Sequence, residues 1–266
     1  MKLCYSTIGC PDWGFKEVFS VAKDLGYNAV EVRGISNEMY APAIKQFKDD
    51  ELNKTKAYLQ SINIDIPVFV SGACLADYSK RDTAVLEAKA YIDLAQKYGS
   101  KYIRVLPTDR PFDTGNADLK LCEKQYREVV EYGKEKGVTP LMETNGIFAD
   151  TKLLKEFLDN IGDGVGALWD IHHPYRYNDE KISESIANLG SYIKHVHLKD
   201  SVIEKGNVKY KMMGYGDIPV EDAIRALIDN NYPGYYSLEW VKRWNHDFED
   251  PGIVLSHFIY FMHRFN

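Results

Sequence analysis

The feature that most constrains the fold is a unit that recurs along the chain, an amphipathic helix followed by a short apolar strand. In the first unit, residues 15–25 carry apolar side chains at helical spacing, Gly26 follows as a C-cap, and residues 28–33 form a strand. The same pattern predicts strands at 3–8, 28–33, 64–70, 101–106, 138–143, 165–171, 192–198 and 235–240. It predicts further helices at 49–62, 84–98, 118–136, 151–161, 182–189, 219–230 and 252–264, with Thr151 as an N-cap and Pro219 as a first helical residue.

Eight strand–helix units predict an α/β protein whose strands are parallel. Right-handed crossovers of this kind give either a closed barrel or an open doubly wound sheet. A length of 266 residues matches the roughly 250 of a (β/α)8 barrel, and no GxGxxG motif follows the first strand. Since no linker-like segment interrupts the pattern, we predict a single-domain (β/α)8 TIM barrel over residues 1–266.

Composition excludes several classes of function. A net charge of −6 is unsuited to a protein that gains affinity by neutralising phosphates, so we expect no nucleic-acid partner. No apolar run reaches the roughly 18–20 residues that span a bilayer, and no secretory signal is visible. The four cysteines are scattered without a CxxC pair. We therefore expect reduced thiols in a cytoplasmic protein without a membrane partner.

Four of the predicted strands in the second half end in a residue that can bind a divalent metal: Glu143, Asp170, His197 and Glu239. They are separated by about one strand–helix unit each, so a closed barrel would bring them together at its carboxyl-terminal rim. An isolated acidic residue at a strand end is more often a helix cap or a solvated charge. Unrelated caps, however, have no reason to recur at the same position in four of the strands. Three carboxylates and one imidazole suit Mn²⁺, Mg²⁺ or Co²⁺ better than a closed structural zinc site.

Two motifs carry a resemblance to a known family. They are Trp-Asp-Ile-His-His-Pro at 169–174 and His-Val-His-Leu-Lys-Asp at 195–200. With Ser-Leu-Glu-Trp at 237–240, the chain resembles the xylose isomerase-like TIM barrels, which include tagatose and psicose 3-epimerases, inosose dehydratase and, more distantly, endonuclease IV. The resemblance implies one divalent ion (Mn, Co, Mg or Zn), held by the same quartet, and a substrate-binding histidine at His173.

The residue types fit proton transfer at a carbon beside a carbonyl. Glu143 and Glu239 are predicted to be the catalytic pair, flanking one substrate carbon with proton affinities shifted towards neutral. The metal would stabilise the developing enediolate. The predicted activity is therefore that of a metal-dependent isomerase or epimerase acting on a sugar or polyol.

Further residues are candidates for binding the substrate. The epimerases carry Gly-Glu-x-x-x-Arg after the metal histidine, whereas this chain has Ile203 at the arginine position, so Lys199 or Lys211 is a candidate replacement. Trp13 is predicted to stack on a sugar ring. Arg104, like the Glu31 and Arg33 side chains, could reach a sugar hydroxyl or carboxylate, with an internal salt bridge as the alternative.

Two histidines lie two residues apart in the predicted strand 192–198. We interpret His195 and His197 as lying on opposite faces of one strand, with His197 at the site and His195 in a structural role.

Three other functions remain open. A lyase of the inosose dehydratase type would use the same metal site, although Asn145 replaces the histidine of dehydroshikimate-type dehydratases. An endonuclease IV-like enzyme would need three zinc ions. A non-catalytic carbohydrate-binding barrel would not need an intact quartet. The expected partner is a small sugar or polyol, and the chain could form a homo-oligomer.

Overall fold

The computed structural model describes residues 1–265, and within them eight parallel strands form a nearly closed barrel. These are β1 (Lys2–Ser6), β2 (Ala29–Glu31), β3 (Val68–Cys74), β4 (Tyr102–Leu106), β5 (Thr139–Glu143), β6 (Gly166–Asp170), β7 (Ile193–Leu198) and, after an inserted hairpin, β10 (Tyr235–Leu238). The sheet order is β2-β1-β10-β7-β6-β5-β4-β3, and all of the pairs are parallel. Single bridges from Ala29 to Asp65 and from Val32 to Phe69 join the two edges. The predicted (β/α)8 barrel is confirmed.

Within the described residues, the eight predicted helices cover the outside of the barrel in order, and the short helix α6 is additional. They are α1 (Phe15–Leu25), α2 (Asp49–Ser61), α3 (Ala84–Tyr98), α4 (Leu119–Lys136), α5 (Thr151–Ile161), α6 (His172–Asn178), α7 (Ile182–Leu189), α8 (Val220–Asp229) and α9 (Pro251–Met262). Gly26, Gly99 and Gly137 end α1, α3 and α4 in the left-handed conformation, with φ of 85°, 105° and 68°. That conformation carries no steric cost for glycine, which explains why these helices stop where they do.

Two predicted helix starts are shifted by one residue. The N-cap of α5 is Asp150, whose side chain accepts a hydrogen bond from the Leu153 amide, so the prediction of Thr151 as the cap was wrong. The Thr151 hydroxyl instead donates to Glu180. Pro219 is the N-cap of α8 and not its first helical residue.

Two elements near the carboxyl ends of the strands were not predicted. The first is the short helix α6, directly after β6. The second is an antiparallel hairpin between β7 and α8, made of β8 (Asp200–Glu204) and β9 (Asn207–Lys211). Both add to the rim of the barrel at which Glu143 and Asp170 end their strands.

The interior of the barrel and the layer beneath the helices form one hydrophobic core. Trp169 is fully buried in this core, as expected for a residue inside a strand. The four cysteines, Cys4, Cys10, Cys74 and Cys122, are buried and unpaired. Among residues 1–265, no helix is both long enough and apolar enough to span a bilayer.

Candidate metal and active site

The four predicted ligands converge at the carboxyl-terminal rim of the barrel. Glu143 ends β5, Asp170 ends β6, His197 lies near the end of β7, and Glu239 directly follows β10. One donor atom from each lies within 4.8 Å of all the others. Nδ1 of His197 is 3.3 Å from Glu239 Oε1, 3.7 Å from Glu143 Oε1 and 3.8 Å from Asp170 Oδ2. Atoms bonded to one ion at roughly 2.0–2.2 Å are separated by such distances.

The donor atoms themselves fit a cation. His197 Nδ1 is buried and has no hydrogen-bond partner among the described residues, so it is available as a ligand. Burial opposes a charge on His197, but Glu31 and Glu239 nevertheless raise the pKa of this imidazole well above its usual range. The quartet therefore favours a positive charge between its members, which either a proton or a metal ion supplies.

A second carboxylate fixes the orientation of His197. The Nε2 atoms of His195 and His197 donate to the same oxygen, Oε2 of Glu31, at 2.7 and 3.0 Å, and the Ser237 hydroxyl donates to it at 2.9 Å. Glu31 is fully buried at the end of β2. Because Nε2 of His197 donates to Glu31, Nδ1 is the nitrogen that faces the quartet.

This arrangement corrects the interpretation of the histidine pair. His195 and His197 lie on the same face of β7, with ring centroids 5.8 Å apart. Residues two positions apart on a strand point to the same side, so placing the two on opposite faces was wrong. His195 contacts Glu31 and makes none of the contacts within the quartet.

Arg104 forms a buried salt bridge with one of the predicted catalytic residues. Its Nη1 lies 2.6 Å from Glu143 Oε2, and both side chains are almost fully buried. Burial alone would raise the pKa of Glu143, but the charge of Arg104 together with His197 lowers it to about 2. This shift is opposite to the predicted one towards neutral. Glu143 is thereby held in the ionised form that a metal ligand requires.

Lys199 contacts two other members of the quartet. Its Nζ donates to Glu239 Oε2 at 2.5 Å and lies at 2.5 Å from Asp170 Oδ2, an ion pair without hydrogen-bond alignment. Burial opposes the charge, yet Asp170 and Glu239 raise the pKa of Lys199 well above its ordinary value. The lysine thus remains charged at the edge of the site.

His173 is oriented by the backbone of the neighbouring strand. Its Nδ1 lies 2.9 Å from the Thr144 carbonyl oxygen, which can only accept, so Nδ1 carries the proton. Burial lowers the pKa of His173 and favours the neutral ring. Nε2, 3.5 Å from Asp170 Oδ2, is then an acceptor for a hydroxyl group.

A cavity of about 680 Å³ opens above the quartet. Glu143 and Glu239 line it, with Arg104, His173 and Lys199. Its wall also includes Arg33, suggested above as a contact for a sugar hydroxyl or carboxylate, together with Asn145 and Trp244. Lys209 and Tyr210 of β9 line it as well, and these two were not predicted as site residues. A separate cavity of about 550 Å³ lies at the amino-terminal end of the barrel and is lined by none of the quartet.

The predicted site residues therefore divide into two groups. Glu143, Asp170, His197 and Glu239 are brought together, and Arg104, His173 and Lys199 surround them. Trp13 packs against the hydrophobic core instead and is absent from the described cavity wall. Glu31 was considered only as a possible sugar contact. Its position at the end of a barrel strand, the same feature that identified the quartet, was sufficient to place it near those four residues.

The family model described as "Xylose isomerase-like TIM barrel" matches residues 19–254. The chain belongs to this family. Members are built on the barrel found here, and the matched region contains all four residues of the quartet.

Three similar proteins illustrate the range of the family. Fructoselysine 3-epimerase of Shigella flexneri is 22% identical over 258 residues, covering 92% of this chain and 91% of the relative. The probable 3-DHS dehydratase AsbF of Bacillus anthracis superimposes with a TM-score of 0.79 at 15% identity, covering 100% of both chains. The IolI protein, whose crystal structure has a bound zinc atom, superimposes with a TM-score of 0.78 at 17% identity, covering 99% of this chain and 97% of its own.

Proposed function

We propose that this protein is a divalent-metal-dependent isomerase or epimerase of a sugar or polyol, which moves a proton at the carbon beside a carbonyl. The observation that carries the proposal is the convergence of Glu143, Asp170, His197 and Glu239 within 4.8 Å, with both glutamates lining a cavity of suitable size for a sugar. Fructoselysine 3-epimerase, similar over nearly the whole chain, supports it.

The quartet is the proposed holder of one ion, Mn²⁺, Co²⁺, Mg²⁺ or Zn²⁺. The IolI protein, which shares this fold and has a bound zinc atom in its crystal structure, supports a divalent ion in this protein. When bound, such an ion polarises a substrate carbonyl and offsets the negative charge that develops on its oxygen. Glu31 keeps Nδ1 of His197 directed at that position.

The remaining chemistry is assigned to side chains that line the cavity. Glu143 and Glu239 approach from different strands, so one carboxylate can accept the proton from one face of the carbon while the other returns a proton to the opposite face. Arg104 pairs with Glu143 and keeps it ionised, which leaves a carboxylate on this face but also weakens it as a base. His173 Nε2 accepts a hydrogen bond from a substrate hydroxyl, and the Lys199 ammonium donates to a substrate oxygen.

Two alternatives differ in measurable ways. A lyase would begin with the same proton abstraction but would release a hydroxyl from the next carbon, so its product is dehydrated. A nuclease with three metal ions would need further ligands. Within residues 1–265, the potential metal ligands form two groups, the quartet and the set of Glu31, His195 and His197. Because both groups include His197, they do not supply three separate metal sites.

The first experiment tests the metal site by elemental mass spectrometry of untagged protein. We expect about one Mn, Co, Mg or Zn per chain, lost in Asp170→Asn. An exposed acidic residue on α8 offers the matched control Asp222→Asn, which should retain the metal. Absence of any metal after incubation with Mn²⁺ and Co²⁺ would refute the proposal, and close to three zinc ions would favour the nuclease.

The second experiment follows proton exchange from ketoses and inososes in D₂O by NMR. Wild-type protein should incorporate deuterium beside the carbonyl, and Glu239→Gln should reduce that rate by several orders of magnitude. The control Glu221→Gln removes an exposed carboxylate paired with Arg264 and should change little. Near-wild-type turnover in Glu239→Gln would remove Glu239 from the mechanism, and a dehydrated product would establish the lyase.

A further inference from the structure

The wall of the active-site cavity carries more positive than negative charge. Six cationic side chains line it against three carboxylates, whereas the whole chain has a net charge of −6. The cations are Arg33, Lys80, Arg104, Arg110, Lys199 and Lys209, and the carboxylates are Asp109, Glu143 and Glu239. A local excess of one sign inside a low-dielectric cleft attracts ligands of the other sign.

Three of the six cations are already paired with carboxylates. Arg104 pairs with Glu143, Lys199 with Glu239 and Asp170, and Lys80 with Asp109.

The other three have no such partner. Among residues 1–265, no carboxylate oxygen lies within 4.0 Å of the charged nitrogens of Arg33, Arg110 or Lys209. Arg110 and Lys209 are exposed at the cavity mouth, while Arg33 is only partly exposed.

Arg33 is held in place without being neutralised. Its Nη1 donates to the Met39 carbonyl oxygen at 3.3 Å, and its backbone amide donates to the Thr7 hydroxyl at 3.0 Å. Its Nη2 lies beside Gly72, and a Cβ atom at position 72 would be only 3.1 Å from that nitrogen. Glycine at 72 therefore leaves room for the guanidinium.

The surroundings of Arg33 make an added anion favourable. Burial and, next, the charge of Arg104 lower the pKa of Arg33, and the groups that raise it (Tyr91, Glu87 and Glu239) offset this only in part. The charged guanidinium is therefore destabilised by desolvation and by repulsion. An anion bound at this point relieves both effects, and a guanidinium binds a carboxylate or phosphate through two parallel hydrogen bonds. A neutral sugar hydroxyl does not relieve them in the same way.

We propose that Arg33 is the centre of an anion subsite and that the substrate carries a carboxylate or a phosphate group away from its reacting carbon. The inference rests on the proposed function for the position of that carbon. Arg110 and Lys209 at the mouth attract the anionic end, and Arg33 binds it.

Isothermal titration calorimetry with three matched sugars tests the subsite on Mn²⁺-loaded protein. D-Fructose, D-fructose 6-phosphate and D-fructuronate share one carbon skeleton and differ at carbon 6. We expect one anionic sugar to bind roughly 10–100-fold more tightly than D-fructose, and the tighter of the two identifies phosphate or carboxylate as the preferred group. Equal affinity for all three would overturn the proposal.

Variants assign the preference to Arg33. Arg33→Gln should abolish the preference by lowering the affinity for the preferred anionic sugar to about that for D-fructose, and Arg33→Lys should restore part of it. The exposed Arg225 on α8 gives the control Arg225→Gln, which should behave as wild type. Loss of affinity for all three sugars in Arg33→Gln would make Arg33 structural.

A titration with inorganic phosphate decides the outcome if none of the sugars binds. Saturable phosphate binding that is lost in Arg33→Gln supports the subsite, and no binding to wild-type protein refutes it. Deuterium exchange is an independent readout. Anion preference without exchange would contradict the isomerase or epimerase function and leave the subsite standing.

Discussion

At the scale of single residues, one oxygen of Glu31 receives three donors. Oε2 accepts hydrogen bonds from His195, His197 and Ser237, while Oε1 is buried with no hydrogen-bond partner among the described residues. Burial would raise the pKa of Glu31, but His197 and His195 lower it well below its usual range. The carboxylate is therefore ionised and complements the charge on the His197 ring.

Glu31→Gln should weaken metal binding about 10–100-fold, because a neutral amide orients His197 less firmly and no longer increases its basicity. Calorimetric titration of metal-free protein with Mn²⁺ or Zn²⁺ measures the change. Glu128→Gln, which removes an exposed carboxylate paired with Lys89, is the control. Unchanged affinity in a folded Glu31→Gln variant would show that Glu31 does not position His197.

The quartet was predictable because its members occupy equivalent positions at the carboxyl ends of their strands, and a closed barrel brings those positions together. The partners that Arg104 and Lys199 take in ion pairs did not follow from these strand-end positions. Long side chains choose partners by rotamer and burial, which a strand pattern does not specify. The placement of His195 on the opposite face of β7 was wrong for a different reason, because residues two positions apart on a strand share a face.

At the scale of elements, the β8–β9 hairpin forms one wall of the cavity through Lys209 and Tyr210. It is fixed by Asp200, whose carboxylate accepts backbone hydrogen bonds from Ser201, Gly214, Gly216 and Ile218 at 2.8–3.2 Å. Any side chain at position 216 would collide with this carboxylate. The loop before α8 and the hairpin therefore behave as one unit.

Asp200→Asn should destabilise the protein by about 1–3 kcal/mol, because the amide replaces an acceptor with a donor that faces backbone N–H groups. Urea unfolding measures the loss, and hydrogen exchange should accelerate at residues 212–218. Asp229→Asn, at the exposed end of α8, should leave both unchanged. Unaltered exchange in that segment would mean that other contacts hold the loop.

The strand–helix repeat placed most elements within a few residues of their observed ends, because each has its own periodicity and several have glycine caps. The hairpin falls between two units of the repeat and was overlooked. A local signal was present, since Lys205 and Gly206 occupy the turn with φ of 51° and 78°. A two-residue turn ending in glycine between extended segments is typical of a hairpin.

At the scale of the whole molecule, ligands from four different strands should couple metal binding to global stability. A ligand present at 1,000 times its Kd stabilises the native state by about 4 kcal/mol, which for a chain of this size corresponds to roughly 8–16 °C in Tm. Calorimetry with and without Mn²⁺ should show this shift for wild type and not for Asp170→Asn. A rise of the same size in that variant would place the stabilising ion elsewhere.

The architecture was predictable as a whole because eight similar units leave few ways to close a parallel sheet. The way in which the sheet closes between β2 and β3 was not predictable. β2 is only three residues long, and it meets β3 through single bridges at Ala29 and Val32. Each bridge joins residues one strand–helix unit apart, a separation shared by strands that pair fully, so the sequence pattern did not distinguish this seam.

The rates at which the four buried cysteines are alkylated report how often different parts of the structure open. Burial raises the pKa of each thiol, so Cys4 in β1, Cys10 and Cys122 in α4 stay unreactive towards alkylating agents until the surrounding structure separates. Cys74 differs because it lines the active-site cavity, with Lys80 Nζ 3.6 Å from its sulfur. The labelling rate of Cys74 thus reports access to the cavity, whereas the labelling rates of the other three cysteines report local or global unfolding of the barrel.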